Sequence, residues 1–386
     1  MVTRSEPGRA LSDARHTTDS LFELVRPDSL YDRPVPERNR LIFYLGHLEA
    51  FDWNLLARHA LEVPAFHAEF DHLFAFGIDP PPGDLPNDTP AAWPGAAEVR
   101  RYNRRTREIV DEVLDQLPEE LVQAAIEHRL MHAETFAYLL HQMPYGKKAA
   151  PAGAGIPGPA PAAREEFVEI GAGEARMGLE RGRTFGWDNE FEEHGVAVGE
   201  FAVARYKVTN RQYLEFVKEG ASAPHFWAMR EGRWMYRGMF AEYPLPLDCP
   251  VYVTQEEASA YAAWRGMRLL TEPEFHRAAE RSRPSANLGF RGWDPVPVTA
   301  DDAAGGEVAQ MTGNGWEWTS TAFGPFPGFE AFPFYRNYSE PFFDGRHFVL
   351  KGASPRTAAC FLRPSFRNWF RPSYPYLYAT FRVVKS

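Results

Sequence analysis

Glu127-His128-Arg129-Leu130-Met131-His132-Ala133-Glu134 places two histidines four residues apart. On a helix such residues lie one above the other on the same face, so the two imidazoles can share one metal ion. Leu121 and Ala125 extend the face upstream: with His128 and His132 they fall at i, i+4, i+7 and i+11, which predicts one buried stripe on a helix over 119–143. A third imidazole, His47, sits in an earlier apolar stretch, Leu41-Ile-Phe-Tyr-Leu-Gly-His-Leu-Glu-Ala-Phe51. Neutral imidazole suits zinc, copper, nickel or iron. On spacing alone two readings are open, a chance pair of helical histidines or a metal site. If the site is real, three neutral nitrogens leave an ion its full charge and open positions, which points to substrate or oxygen binding and away from a structural role. Glu49, Glu127 and Glu134 read either as solvated helix positions or as partners that orient a ligand histidine. His16, His141 and His194 read as ordinary polar groups.

Working outward, helices are expected over 11–25, 36–61 (carrying His47), 97–117 and 119–143. Asp79-Pro-Pro-Pro-Gly-Asp-Leu-Pro-Asn-Asp88 interrupts them as a loop, because four prolines cannot share a helix. Four helices with one long crossover predict a bundle whose core can hold a metal. Residues 147–163 are rich in Pro, Gly and Ala and read as a linker. Beyond 165, short β-type stretches such as Glu166–Ile170 and His347–Leu350 alternate with Gly- and Pro-rich turns, with helices expected over 256–266 and 272–281. The expected fold is therefore multidomain: a helical bundle over 1–145, a linker over 146–164, and a loop-rich α+β domain over 165–386.

The net charge of -10 argues against a nucleic-acid partner, since phosphate binding needs basic surface. Cys249 and Cys360 form no C-x-x-C pattern, which disfavours a thiolate zinc site and a disulfide framework and fits a cytoplasmic setting. No apolar run approaches a membrane span, and the first residues lack the apolar region of a signal peptide.

Gly46-His47, His128-x-x-x-His132-Ala-Glu134 and the linker resemble the N-terminal DinB-like four-helix half of the ergothioneine-type sulfoxide synthases. The remainder is similar to the formylglycine-generating-enzyme (sulfatase-modifying factor) fold, which is C-type-lectin-like. The resemblance rests on Asp188-Asn-Glu190, Val208-Thr-Asn210, Gly313-Asn-Gly-Trp-Glu-Trp-Thr319 and Arg363-Pro-Ser-Phe-Arg-Asn-Trp369. It implies a mononuclear non-heme iron(II) enzyme that uses dioxygen to join a chalcogen atom to the imidazole C2 of hercynine, with His47, His128 and His132 as iron ligands. It also implies that Tyr335, in Tyr335-Arg-Asn-Tyr338, supplies a proton or hydrogen bond, while Tyr338, Asn368 and Trp369 line the hercynine site. A trimethylammonium group favours such an aromatic face.

The chain departs from that pattern at the donor. Residues 71–99 contain no Arg or Lys, Phe370 follows Trp369 where an Asp is usual, and Tyr374 stands at a later basic position, with Arg371 kept between them. A carboxylate-bearing thiol donor such as γ-glutamylcysteine or cysteine would want bidentate arginines. An uncharged, hydroxyl-rich donor would accept aromatic walls. Tyr-Leu-Gly-His47-Leu-Glu-Ala-Phe-Asp-Trp53 and Gly-Ala-Ser354 resemble the selenoneine synthases of the SenA type, which implies a selenosugar donor with Phe370, Arg371 and Tyr374 at its site. Three rivals are weighed beside this reading: a zinc- or nickel-dependent thiol transferase built on the same three histidines, formylglycine generation, which needs a reactive cysteine pair, and a non-catalytic binding module.

Overall fold

The computed structural model describes residues 6–75, 85–152, 154–158, 160–283, 285, 287–300 and 307–385. The chain divides into two units, Met1–Ala152 and Gly153–Ser386.

In the first unit the four expected long helices form: α1 (Glu6–Glu23), α2 (Leu41–Asp52), α4 (Ala96–Val113) and α5 (Glu119–Gln142), with a short α3 (Ala68–Leu73) that the sequence pattern does not announce. Two boundaries differ from expectation. Arg40 is extended, so α2 begins five residues later than expected. After Asp52 the chain continues as a π-helical segment, Trp53–His59. Such wide turns are rare and concentrate at functional sites. Only 85–88 of the proline-rich loop fall within the described residues, and they are irregular.

Glu119 and Glu120 at the start of α5 complement its dipole, and Pro144 stops it one residue past its C-cap. Leu121, Ala125, His128 and His132 are buried, but so are Ala124, Glu127, Arg129 and Ala133. The expected single stripe is therefore corrected: α5 packs against both α1 and α2 and is a central helix buried on most sides. Lys147 and Lys148, read as the start of the linker, are tied to the helical unit. Lys147 pairs with Asp32 at 2.7 Å, and the buried Lys148 ammonium donates to the Leu140 carbonyl at 2.6 Å.

In the second unit one four-stranded antiparallel sheet runs 167–170, 201–204, 383–385, 267–269. A second runs 368–370, 348–353, 315–322, 379–380, with only the last pairing parallel. Val168, Ile170, Val203, Phe275 and Val384 belong to the packed core on the first sheet. Three helices, α6 (Asn210–Lys218), α7 (Gln255–Trp264) and α8 (Glu272–Ala279), begin the same way. Thr209, Thr254 and Thr271 each accept from the backbone N–H three residues on, and Gln212, Glu257 and Glu274 reach back to the cap. This reciprocal box satisfies two otherwise unpaired donors per helix.

The Gly313–Thr319 string is structural. Trp316 and Trp318 are buried, Glu317 pairs with the buried Arg382 at 3.0 Å, and the Asn314 amide bonds Val296 through both its oxygen and its nitrogen. Opposite Trp316, Gly352 has φ +90, and a Cβ there would meet the Met311 carbonyl at 2.5 Å. Only glycine tolerates both conditions.

Candidate functional site

α2 and α5 bring the three expected histidines together. His47 Nε2 lies 3.2 Å from His132 Nε2, and His132 Nε2 lies 3.1 Å from His128 Nε2. All three rings are buried, and their ligand atoms lie within 4.8 Å of one another. Burial holds each imidazole well below its usual titration range, His47 at about 4 despite its bond to Phe74, so all three are neutral donors at pH 7. Converging lone pairs at this spacing repel one another unless a cation or proton lies between them. The donor set therefore fits a first-row transition metal that His47, His128 and His132 would hold through three nitrogens.

Neighbouring groups fix these rings. His47 Nδ1 donates to the Phe74 carbonyl at 2.7 Å. A carbonyl only accepts, so the proton sits on Nδ1 and Nε2 keeps its lone pair for a metal. Gly46 makes that contact possible, since a Cβ there would stand 2.6 Å from the Phe74 ring. Phe43 stacks on His47 at 4.9 Å between centroids, and Phe51 stacks on His128 at 3.4 Å.

Beside the histidines lies an ion network. Arg129, next to His128, donates to Asp52 at 2.6 Å, to Glu49 at 3.0 Å and to the Leu48 carbonyl at 3.0 Å. Arg107 on α4 holds Glu49 at 2.6 Å and Asp19 of α1 at 2.7 Å. Burial alone would raise the Glu49 carboxyl, but Arg129 and Arg107 overcome it and hold the group at about 2. For Asp52 burial outweighs Arg129, and its pKa is raised. Glu49 is thus neither a solvated helix position nor a histidine partner. It is one of three carboxylates in a charge cluster that joins all four long helices.

The remaining candidates lie in the second unit. Tyr338 is buried and stacks on Trp187 at 4.1 Å, and it meets Trp369 edge-on at 5.3 Å. Tyr335, half-buried, lies 5.6 Å from Tyr338. Burial first, then the charge of Asp188, push its phenol up to about 12, which keeps it protonated at neutral pH. Asn368 accepts from the Trp369 backbone N–H at 2.9 Å. Trp369 lies flat on Phe323 at 4.3 Å. Phe370 stacks on Tyr374 at 5.2 Å across the turn that contains the exposed Arg371, and Tyr374 meets Tyr376 edge-on. Tyr335, Tyr338 and Trp369 thus form one aromatic cluster through Trp187, while Phe370, Tyr374 and Tyr376 form another patch. Sequence reasoning missed Phe74, Phe51, Arg129 and Trp187. Glu49-x-x-Asp52 on an otherwise apolar helix was the available signal for the ion network, since buried carboxylates require cations.

A family profile described as the sulfatase-modifying factor enzyme 1-like domain matches residues 154–386, and one for the DinB superfamily matches residues 10–145. Ergothioneine biosynthesis protein 1 of Neurospora crassa is 25% identical over 94% of this chain and 56% of its own length. The protein of the same description from Schizosaccharomyces pombe is 27% identical over 94% and 54%. The chain spans about half the length of these two relatives. Hercynine oxygenase of Mycolicibacterium smegmatis is 32% identical over 67% of this chain and 70% of its own. Two domains of these kinds, in this order and with these relatives, make the chain a member of the ergothioneine-type (EgtB-like) family, a DinB domain followed by a sulfatase-modifying factor domain.

Proposed function

We propose that the protein is a non-heme iron(II), dioxygen-dependent oxidoreductase that joins a chalcogen atom to C2 of the hercynine imidazole. The observation that carries this is the set of three neutral, buried imidazole nitrogens facing one point, with the tautomer of His47 fixed by Phe74. Bound iron would supply open coordination positions on which two substrates and oxygen meet. His47, His128 and His132 would hold it, and the rings of Phe43 and Phe51 limit the rotation of His47 and His128. Tyr338, Trp369 and Asn368 offer the betaine an aromatic face and an amide. Tyr335, a protonated phenol, would supply a proton or a hydrogen bond to the reacting substrates. The coupling breaks the imidazole C2–H and the donor chalcogen–H bonds and forms one carbon–chalcogen bond, and the two electrons and two protons released pass to O2.

Sulfur is the first reading for the donor, because the relatives are named for ergothioneine biosynthesis and hercynine oxygenation. A thiol such as γ-glutamylcysteine or cysteine would then be joined. A selenosugar is the second reading, and one observation favours it. The patch after Trp369 is aromatic, Phe370 on Tyr374 and Tyr374 on Tyr376, with Arg371 as the cation in the turn. Stacked rings suit a sugar better than a dicarboxylate. Initial rates of the iron(II) protein with hercynine and each donor in turn separate the two. A thiol rate far above the selenosugar rate establishes the first, and the reverse establishes the second. Bound zinc without oxygen uptake would instead support a thiol transferase.

A further inference from the structure

The turn Trp187-Asp188-Asn189-Glu190 touches both segments that carry the aromatic candidates of the second unit, and it has no role so far. Glu190 fixes the turn at one end. Its buried carboxylate accepts from Arg363 at 2.5 and 2.7 Å, from Ser365 at 2.7 Å and from the Trp187 backbone N–H at 2.8 Å. The Asn189 carbonyl accepts from Arg367 at 3.3 Å, directly before Asn368 and Trp369. The turn is thus pinned to the run leading into the Asn368–Phe370 strand. At its other side the fully buried Asp188 accepts from the Ser339 hydroxyl, and the backbone N–H groups of Asn189 and Phe332 lie near enough to favour its charged form. Phe332 and Ser339 bracket the segment that carries Tyr335 and Tyr338. Trp187, also fully buried, stacks on Tyr338 and meets Tyr335 edge-on at 6.3 Å.

We infer that Asp188 is a positioning residue: it closes the 332–339 segment onto the turn that Glu190 pins to the 363–369 run, and so sets the placement of the Tyr335 hydroxyl relative to Asn368 and Trp369. This rests on the reading that Tyr335 acts on the reacting substrate. A carboxylate is suited to the task because it accepts from Ser339 at one end of an irregular loop that has no sheet ladder of its own and faces the Phe332 N–H at the other. Removing a buried acceptor of this kind leaves the Ser339 hydroxyl unpaired, so the loop opens instead of relaxing in place.

The test uses iron-loaded full-length protein and four variants: Asp188→Asn, Ser339→Ala, Tyr335→Phe and the Asp188→Asn/Tyr335→Phe double variant. Hydrogen exchange and steady-state kinetics with hercynine and the faster donor are measured on each. Asp188→Asn and Ser339→Ala should each speed amide exchange at least about five-fold within 332–339 and leave 315–322 unchanged. Each should lower kcat roughly ten-fold, with the hercynine KM within about two-fold. In the Tyr335→Phe background Asp188→Asn should add less than about two-fold, because both changes remove the same placed hydroxyl. Unchanged exchange in 332–339, or full additivity with Tyr335→Phe, overturns the inference. If Tyr335→Phe keeps wild-type kcat, the role of Tyr335 fails, and the exchange result alone still decides whether Asp188 holds the segment. If Asp188→Asn does not fold, Ser339→Ala, combined with Tyr335→Phe, carries the same comparisons.

Discussion

His47 of α2 and His132 of α5 face each other with their Nε2 atoms 3.2 Å apart, although 85 residues separate them. His128 completes the set one turn before His132, so the site is a property of the α2–α5 packing and not of either helix alone. That dependence makes the ligands, the glycine beneath them and the ion network beside them separately testable.

His132 contacts both other imidazoles, so its loss leaves two nitrogens that no longer surround an ion. His132→Ala should lower iron(II) affinity by roughly 100-fold or more. Its far-UV circular dichroism should match wild type, because α5 remains packed on most sides. Metal content after dialysis against a weak chelator checks the first, and a variant that retains one iron per chain would remove His132 from the ligand set.

Gly46→Ala places a Cβ 2.6 Å from the Phe74 ring, whose backbone carbonyl holds His47 Nδ1. The ring must move, and overpacking of this kind destabilises by about 1–3 kcal/mol. Because the same residue orients a ligand, metal affinity should also fall by about ten-fold or more. Urea unfolding of the apo protein and metal titration read the two effects separately. A loss of stability with full metal affinity would show that the Phe74 carbonyl does not set the imidazole.

Arg129 neutralises Glu49 and Asp52 within a dry helical core. Arg129→Met strands Asp52, leaves Glu49 to Arg107 alone, and should destabilise the helical unit by about 3–5 kcal/mol at pH 7. The loss should shrink as the pH drops and the stranded carboxylate takes up a proton. Denaturant midpoints at pH 7 and pH 5 measure both. An effect below 1 kcal/mol would mean that the network is not the anchor described here.

Those four helices were legible in the sequence because apolar periodicity and proline punctuation agree over 11–25 and 119–143. The histidine set was legible because i, i+4 spacing survives any tertiary arrangement. Other features were not. The π-helical segment at Trp53–His59 follows an apolar run that reads equally well as α-helix. α6 lies outside the expected helices, although Thr209-Asn-Arg-Gln212, read as Thr-x-x-Gln, announces a capping box, the device that also starts α7 and α8. The Asp188–Ser339 contact spans 151 residues between two loops, and no local pattern encodes such a pairing. Under the proposed function donor choice falls to residues 370–376, where aromatic side chains suit packing and ligand stacking alike, so no local pattern separates the two.

His276 is buried beside Lys351 and Arg367. Burial foremost, with the Lys351 charge, lowers its pKa from 6.5 to about 3, against the opposing pull of Glu272. The folded state therefore resists a proton that the unfolded chain accepts. The contribution of neutral His276 is complete above pH 6.5 and is lost as pH falls from 6.5 towards 3, by on the order of a few kcal/mol. His276→Gln should flatten the dependence of stability on pH across that window. An unchanged slope in denaturant unfolding between pH 6.5 and 4 would assign the acid sensitivity elsewhere.

Oxygen uptake by the anaerobically iron(II)-loaded protein tests the central claim most directly, with hercynine and a chalcogen donor added singly and then together, and with mass analysis of the hercynine pool. Fast uptake only when both are present, together with a hercynine derivative bearing sulfur or selenium at C2, is the predicted result. Uptake that ignores hercynine, or turnover that persists in the metal-free protein, would contradict it.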